Sequence, residues 1–221
     1  MVLIMNSKQM IEQLVGFNTV SRDSNLSLID FVQNYLDDYG VASTRVVSDD
    51  GEKSNLYATI GPLEEGGVVL SGHTDVVPVD GQDWHTDPFL LTEDNGRLYG
   101  RGTCDMKGFI GIALSLVPQM RSLQRPIHLA LSYDEEVGCR GAPAMIEQMV
   151  TNIPAPQAVI VGEPTSMSAV TGHKGIVGLK TTVRGYETHS SQTNRGVSAV
   201  MNAARLVSYL SAMAERLERD T

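Results

Sequence analysis

The sequence predicts an α/β fold, a mostly parallel sheet with helices on both faces, followed by the start of a second domain. Three observations predict it. Apolar runs at 68–72, 127–133 and 157–161 alternate with stretches of helical periodicity, the pattern of repeated β-α-β units. The second and third runs are apolar almost throughout, as strands buried on both faces are. A His-Asp pair or an acidic residue follows each run, and open α/β sheets bind ligands beyond the carboxyl ends of their strands.

The elements follow in order. Residues 7–16 carry Met10, Ile11, Leu14 and Val15 on one side of a helix. Leu28, Val32, Tyr35, Leu36 and Tyr39 mark a second helix, with Gly40 as its stop. Short strands around 42–48 and 55–60 flank an Asp50-Gly51 turn. The strand at 68–72 leads into a loop rich in Gly, Asp and Pro over 78–102. A helix from about 106 to 120 precedes the strand at 127–133, and a helix near 140–150 precedes the buried strand at 157–161. The character changes after about 172. Leu179, Thr181 and Val183 alternate with polar neighbours as in a half-exposed strand. Val200, Ala203, Val207, Leu210, Ala214 and Leu217 then stripe a long amphipathic helix. A strand and one helix do not bury a core alone. Residues 1–172 therefore read as one domain and 173–221 as the incomplete beginning of another.

Of the 221 residues, 42% are hydrophobic and 19% charged, enough for a sizeable core. A net charge of -9 without a Lys/Arg stripe speaks against nucleic acid as a partner. The apolar run Met1–Met5 is too short for a signal-peptide core or a membrane span. Cys104 and Cys139 make no disulfide framework, and two reduced thiols suit a cytoplasmic protein.

The acidic clusters carry the chemistry. His73 and Asp75 stand at i and i+2, so in extended backbone they point the same way. Such a His can ligate a metal while the carboxylate fixes its tautomer; the pair also suits a capped strand end. Asp105 ends the turn Gly100-Arg101-Gly102-Thr103-Cys104-Asp105 ahead of a helix. It reads either as an N-cap or as a carboxylate able to bridge two ions. Glu135 and Glu136 end a buried strand side by side, a costly place for like charges without a cation. One can ligate while the other serves as general base. Glu163 ends the run at 157–161 and reads as a turn acid or as a further ligand on the same rim. Mixed His and carboxylate ligands suit zinc or a similar first-row ion. The count exceeds what one catalytic zinc takes and suits two ions about 3.5–4 Å apart. His128, inside an apolar strand, reads as structural. His189 sits beside Ser190 and Ser191 with no G-x-S-x-G elbow, which argues against a nucleophilic serine.

As they stand, SGHTDVVP (71–78), Trp84 with DPF (87–89), LYGRGTCDMKG (98–108), SYDEEVG (132–138), GEPTS (162–166) and GYETHSSQTNRGVSA (185–199) resemble the M20 family of metallopeptidases and deacylases. The resemblance implies a di-metal amidohydrolase whose first domain is catalytic and whose second is an α+β lid and dimerisation domain. It implies two divalent metal ions, zinc first and cobalt second. His73 and Glu163 would ligate one ion, Asp105 would bridge, and Glu136 would ligate the other. Glu135 would be the general acid/base and Asp75 would orient His73. His189 resembles the lid histidine that, in family dimers, reaches the partner's active site and helps hold the substrate carbonyl. The substrate class implied is a small N-acyl amino acid, in a homodimer with no membrane partner. TCDMKGF, SYDEEVGC, GEPTS and the junction HKG (173–175) imply removal of the acetyl group from N2-acetylornithine. Desuccinylation of succinyl-diaminopimelate, a dipeptidase or carboxypeptidase reaction, and an inactive fragment are the alternatives. Family members are much longer and take a further His for the second ion from beyond the lid. No His follows His189, so the resemblance implies a fragment one ligand short at its second site.

Overall fold

The structure is a computed structural model that describes residues 4–219. Met1–Leu3 of the N-terminal apolar run and Asp220 and Thr221 of the charged end lie outside the described residues. The chain divides into two compact units, Met1–Ala169 and Val170–Thr221.

In chain order the first unit holds α1 (Ser7–Gly16), α2 (Leu26–Asp38), β1 (Ser43–Val47), β2 (Ser54–Ile60), β3 (Val68–His73), β4 (Thr92–Asp94), β5 (Arg97–Tyr99), α3 (Lys107–Leu116), β6 (Ile127–Ser132), α4 (Ala142–Asn152) and β7 (Ala158–Val161). Asn6 starts α1 through a capping box: its Oδ1 accepts from the Gln9 amide, and Gln9 Oε1 accepts from the Asn6 amide. Gly40 follows α2 at φ +73°, the left-handed conformation that ends a helix without penalty only for glycine.

The main sheet has the order β1-β2-β6-β3-β7 and is mixed. β1 and β2 form an antiparallel hairpin and β2 runs antiparallel to β6, whereas β6, β3 and β7 are mutually parallel neighbours. Side chains alternate across the strands, so each face has its own core. Leu56, Ala58, Ile60, Leu129 and Leu131 pack with buried residues of α1, α2 and α3. Val46, Tyr57, Val69 and Ala130 pack with Met145 and Met149 of α4. Helices therefore cover both faces, and His73, last residue of β3, sits at the carboxyl end of the central parallel strand.

Four details differ from the sequence reading. The strand at 157–161 is not buried: Val159, Ile160 and Val161 of β7 are 57%, 49% and 56% exposed. An all-apolar run reports β-propensity, not position in the sheet, and among the described residues β7 lies at the edge with only β3 beside it. The helix from 106 stops at Leu116 and becomes a 3-10 turn at Val117–Gln119, where Pro118 removes an amide donor. The loop over 78–102 contains the hairpin β4–β5, whose Asn95-Gly96 turn has positive φ at both residues. Residues 179–183 form no strand. Among the described residues no neighbour pairs with them, and an extended segment without a partner gains nothing from its backbone donors.

The second unit contains a bridge between Tyr186 and Val197, a 3-10 turn at Ser190–Arg195 and the long α5 (Ala199–Arg219). On the apolar stripe of α5, Val200, Val207 and Leu210 are exposed. No helix among the described residues is long and apolar enough to cross a membrane.

Candidate metal centre

Three strand ends and one helix start deliver the site. β3 ends on His73, β6 runs into Glu135 and Glu136, β7 runs into Glu163, and Asp105 lies just ahead of α3. Because β6, β3 and β7 are parallel neighbours, their carboxyl ends share one rim. Glycine lets the pieces close. A Cβ on Gly162 would lie 2.1 Å from the Phe109 ring, so only glycine lets the turn before Glu163 approach α3.

His73 is 2% exposed and forms the centre of the cluster. Its Nδ1 donates to the backbone carbonyl of Asp75 at 2.8 Å. That bond aims Nε2 outward, 2.9 Å from Asp105 Oδ1, 3.6 Å from Glu163 Oε1 and 4.0 Å from Glu135 Oε2. Two overlapping sets of ligand atoms lie within 4.8 Å of one another: His73, Glu135 and Glu163, and His73, Asp105 and Glu136. Asp105 does not cap α3. The N-cap position belongs to Met106, and the Asp105 carboxylate faces the imidazole instead.

Asp75 is placed differently from the simple His-carboxylate pair. Its Oδ1 stands 3.5 Å from His73 Nδ1, while the backbone carbonyl takes the shorter bond. The carboxylate instead accepts from the Ser21 hydroxyl at 2.7 Å and from the amides of Glu135 and Glu136 at 3.1 and 3.3 Å. One buried carboxylate thus joins the end of β3 to the turn after β6. Ser21, a contributor the sequence reading missed, left no local signal, because it lies 54 residues from its partner.

The electrostatics describe a place waiting for positive charge. Burial disfavours the charged imidazolium of His73. Its bonds to Asp75 and the charges of Asp75 and Glu163 outweigh burial and push it up to about 9. Burial likewise opposes ionisation of Asp75, but hydrogen bonds from His73, Ser21 and the Glu135 amide hold its carboxyl below the usual range. Glu136 and Glu163 are raised, first by burial and then by nearby carboxylates, Asp105 for both. Crowded acids around an imidazole that prefers a proton make a donor set that a divalent cation fits. Lys107, fully buried and donating to the Phe17 carbonyl at 2.6 Å, is pushed down to about 7 by burial, against the pull of Asp75.

His189 belongs to the second unit, where it precedes the 3-10 turn and accepts from the Ser191 amide. Cys104 and Cys139 are free and exposed, and Cys139 Sγ lies 3.6 Å from Glu135 Oε1. A groove of about 1180 Å³ opens beside Gly40, Ile60, Met120 and Ile153, away from the ligand cluster.

An imidazole ringed by carboxylates at the carboxyl rim of a mixed α/β sheet is the architecture of a metallopeptidase-type catalytic domain. The chain belongs to peptidase family M20/M25/M40, whose sequence profile matches residues 69–221. It is 37% identical to an acetylornithine deacetylase of Pasteurella multocida (strain Pm70), over 96% of this chain and 56% of that protein. It is 38% identical to an acetylornithine deacetylase of Myxococcus xanthus, over 94% of this chain and 55% of that one. The chain thus spans about half the length of these relatives. Its fold is similar to an M20 family metallo-carboxypeptidase from Sulfolobus solfataricus (TM-score 0.61, 22% identity, 72% of this chain and 37% of that one). It is also similar to a tripeptidase from Staphylococcus aureus (TM-score 0.62, 17% identity, 93% and 57%).

Proposed function

We propose that this chain carries the catalytic chemistry of a metal-dependent amidohydrolase that removes the acetyl group from N2-acetylornithine, releasing ornithine and acetate, a step of arginine biosynthesis in the cytoplasm. The observation that carries the hydrolytic part is the ring of Asp105, Glu163 and Glu135 carboxylates around His73 Nε2. Likeness to the two deacetylases at 37% and 38% identity supports the choice of an acetyl group.

In this reading His73 and Glu163 would hold one divalent ion and Glu136 a second, with Asp105 available to both. Zinc suits the mixed nitrogen and oxygen donors, and cobalt is the next candidate. Ions bound there supply a Lewis acid for the scissile carbonyl and lower the pKa of a coordinated water to about 7. Glu135 is the proton carrier. Its carboxylate takes a proton from the attacking water as the C–O bond forms, and returns it to the amine nitrogen as the C–N bond breaks. Asp75 keeps His73 and the Glu135-Glu136 turn in register through its four hydrogen bonds. His189, from the lid of a partner copy in a homodimer, stabilises the oxygen of the reacting carbonyl.

The test is a substrate panel on protein stripped of metal and reloaded with zinc or cobalt. N2-acetylornithine should be hydrolysed at the highest kcat/KM, ahead of N-succinyl-diaminopimelate and of dipeptides. Preference for either of the others reassigns the substrate. Metal-loaded protein that cleaves none of them overturns the hydrolytic reading for this chain.

A further inference from the structure

The turn that carries Glu135 is held from a distance by one lysine. Lys53 lies at the entry to β2, far from the ligands in sequence. Its ammonium donates to the Ser21 carbonyl and to Asp134 Oδ1, both at 2.5 Å. The Lys53 and Asp134 side chains are only 16% and 12% exposed. Charge-assisted bonds sheltered in this way are stronger than those of an open surface pair.

Both arms of this contact lead to the same place. Asp134, directly before Glu135, has φ +57°, a left-handed conformation that residues other than glycine hold only when their surroundings fix it. The Asp134 carbonyl accepts the Arg140 amide, and the Glu135 carbonyl accepts the amides of Gly138 and Cys139, so the turn closes on itself. Through the other arm, Ser21 donates its hydroxyl to Asp75, and Asp75 accepts the amides of Glu135 and Glu136. One ammonium therefore pins the backbone of Glu135 from the side of Asp134 and from the side of Asp75.

We propose that Lys53 is a positioning residue that sets the aim of the Glu135 carboxylate, acting through Asp134 and Ser21 without touching the reacting atoms. The proposal rests on the reading of Glu135 as the proton carrier, and a small displacement of such a group is costly because proton transfer needs hydrogen-bond geometry.

The experiment compares the wild type with Lys53→Arg, Lys53→Met and the pair Lys53→Met with Asp134→Asn. The double variant leaves no unpaired buried charge, and Asn tolerates the left-handed conformation, so it keeps the test open if the single variant fails to fold. Amide hydrogen exchange at Glu135 and Glu136 is read against Leu129 and Leu131 in the middle of β6. In the double variant, exchange at the two glutamates should rise at least about tenfold while the β6 amides stay unchanged. Hydrolysis of N2-acetylornithine should show kcat at least about tenfold lower, with KM and bound metal near wild type. Lys53→Arg should keep most of both properties. Unchanged exchange at Glu135 and Glu136, or equal acceleration throughout β6, overturns the proposal. A wild type without hydrolytic activity sinks the functional reading instead, and the exchange data still decide whether Lys53 holds the turn.

Discussion

His128 shows what burial does to a histidine that meets no acid. It is fully buried on β6, and a hydrogen bond joins its Nδ1 to the Thr59 hydroxyl at 2.9 Å. Burial pushes it below the ordinary 6.5, so the folded chain holds it neutral while the unfolded chain takes a proton below that value. The unfolded state then binds more protons, and its contribution to stability, present above 6.5, is lost as the pH falls from 6.5 toward the folded value. Denaturant midpoints measured between about pH 7 and pH 5 should therefore fall less for His128→Asn than for the wild type. An equal slope in both would remove His128 as the cause. His73, equally buried, is pushed the other way because carboxylates surround it. Glu135 tests the chemistry at the same scale. Glu135→Gln should lower kcat by about 10²–10⁴-fold, the usual worth of a general acid/base, with metal content kept. Full activity in that variant, measured on metal-loaded protein, would remove Glu135 from the mechanism.

α3 links the core to the site. Its first turn follows Asp105 and its apolar side, Ile110, Ala113 and Leu114, is buried against the sheet and its neighbours. Gly108 sets its approach: a Cβ there would lie 2.2 Å from the Thr103 carbonyl oxygen. Gly108→Ala must part α3 from the 100–105 turn, so it should weaken metal binding, read by titration of stripped protein, more than it lowers the melting temperature. A variant with wild-type affinity would show that the turn and helix move together. β6 is the middle strand of the sheet, and Leu129 on it is 1% exposed. Leu129→Ala removes buried methyl groups and leaves a cavity, for an expected loss of about 2–5 kcal/mol in a denaturant melt. The hairpin β4–β5 was read as loop: its Asn95-Gly96 pair suits a hairpin turn, but strands of three residues are too short to show the alternation that would have marked them. β7 was legible as a strand and not as an edge, because composition reports how a segment prefers to fold and not which neighbours it has.

For the first unit as a whole, metal and fold should be coupled. Burial first, and neighbouring carboxylates after it, raise Glu136 and Glu163, so a divalent ion that binds the folded site alone stabilises it by mass action. Zinc or cobalt at about 100 times its Kd should add about 2.7 kcal/mol, seen as a higher melting temperature that a chelator reverses. Absence of any shift with zinc, cobalt or manganese would count against a metal centre. Sequence alone determined the α/β class, most of the helices and strands, and the clusters that set His73, Asp75, Glu135, Glu136 and Glu163 where strands end and Asp105 where α3 begins. Those are local properties: periodicity, capping and acids placed where an apolar run stops. The tertiary structure alone decided that the sheet is mixed, that β7 is exposed, and that the Asp75 carboxylate grips the turn after β6. It also alone revealed Ser21 and Lys53, which lie 54 and 81 residues from the acids they hold. Such contacts arise only when folding brings distant backbone together, so no spacing along the chain encodes them.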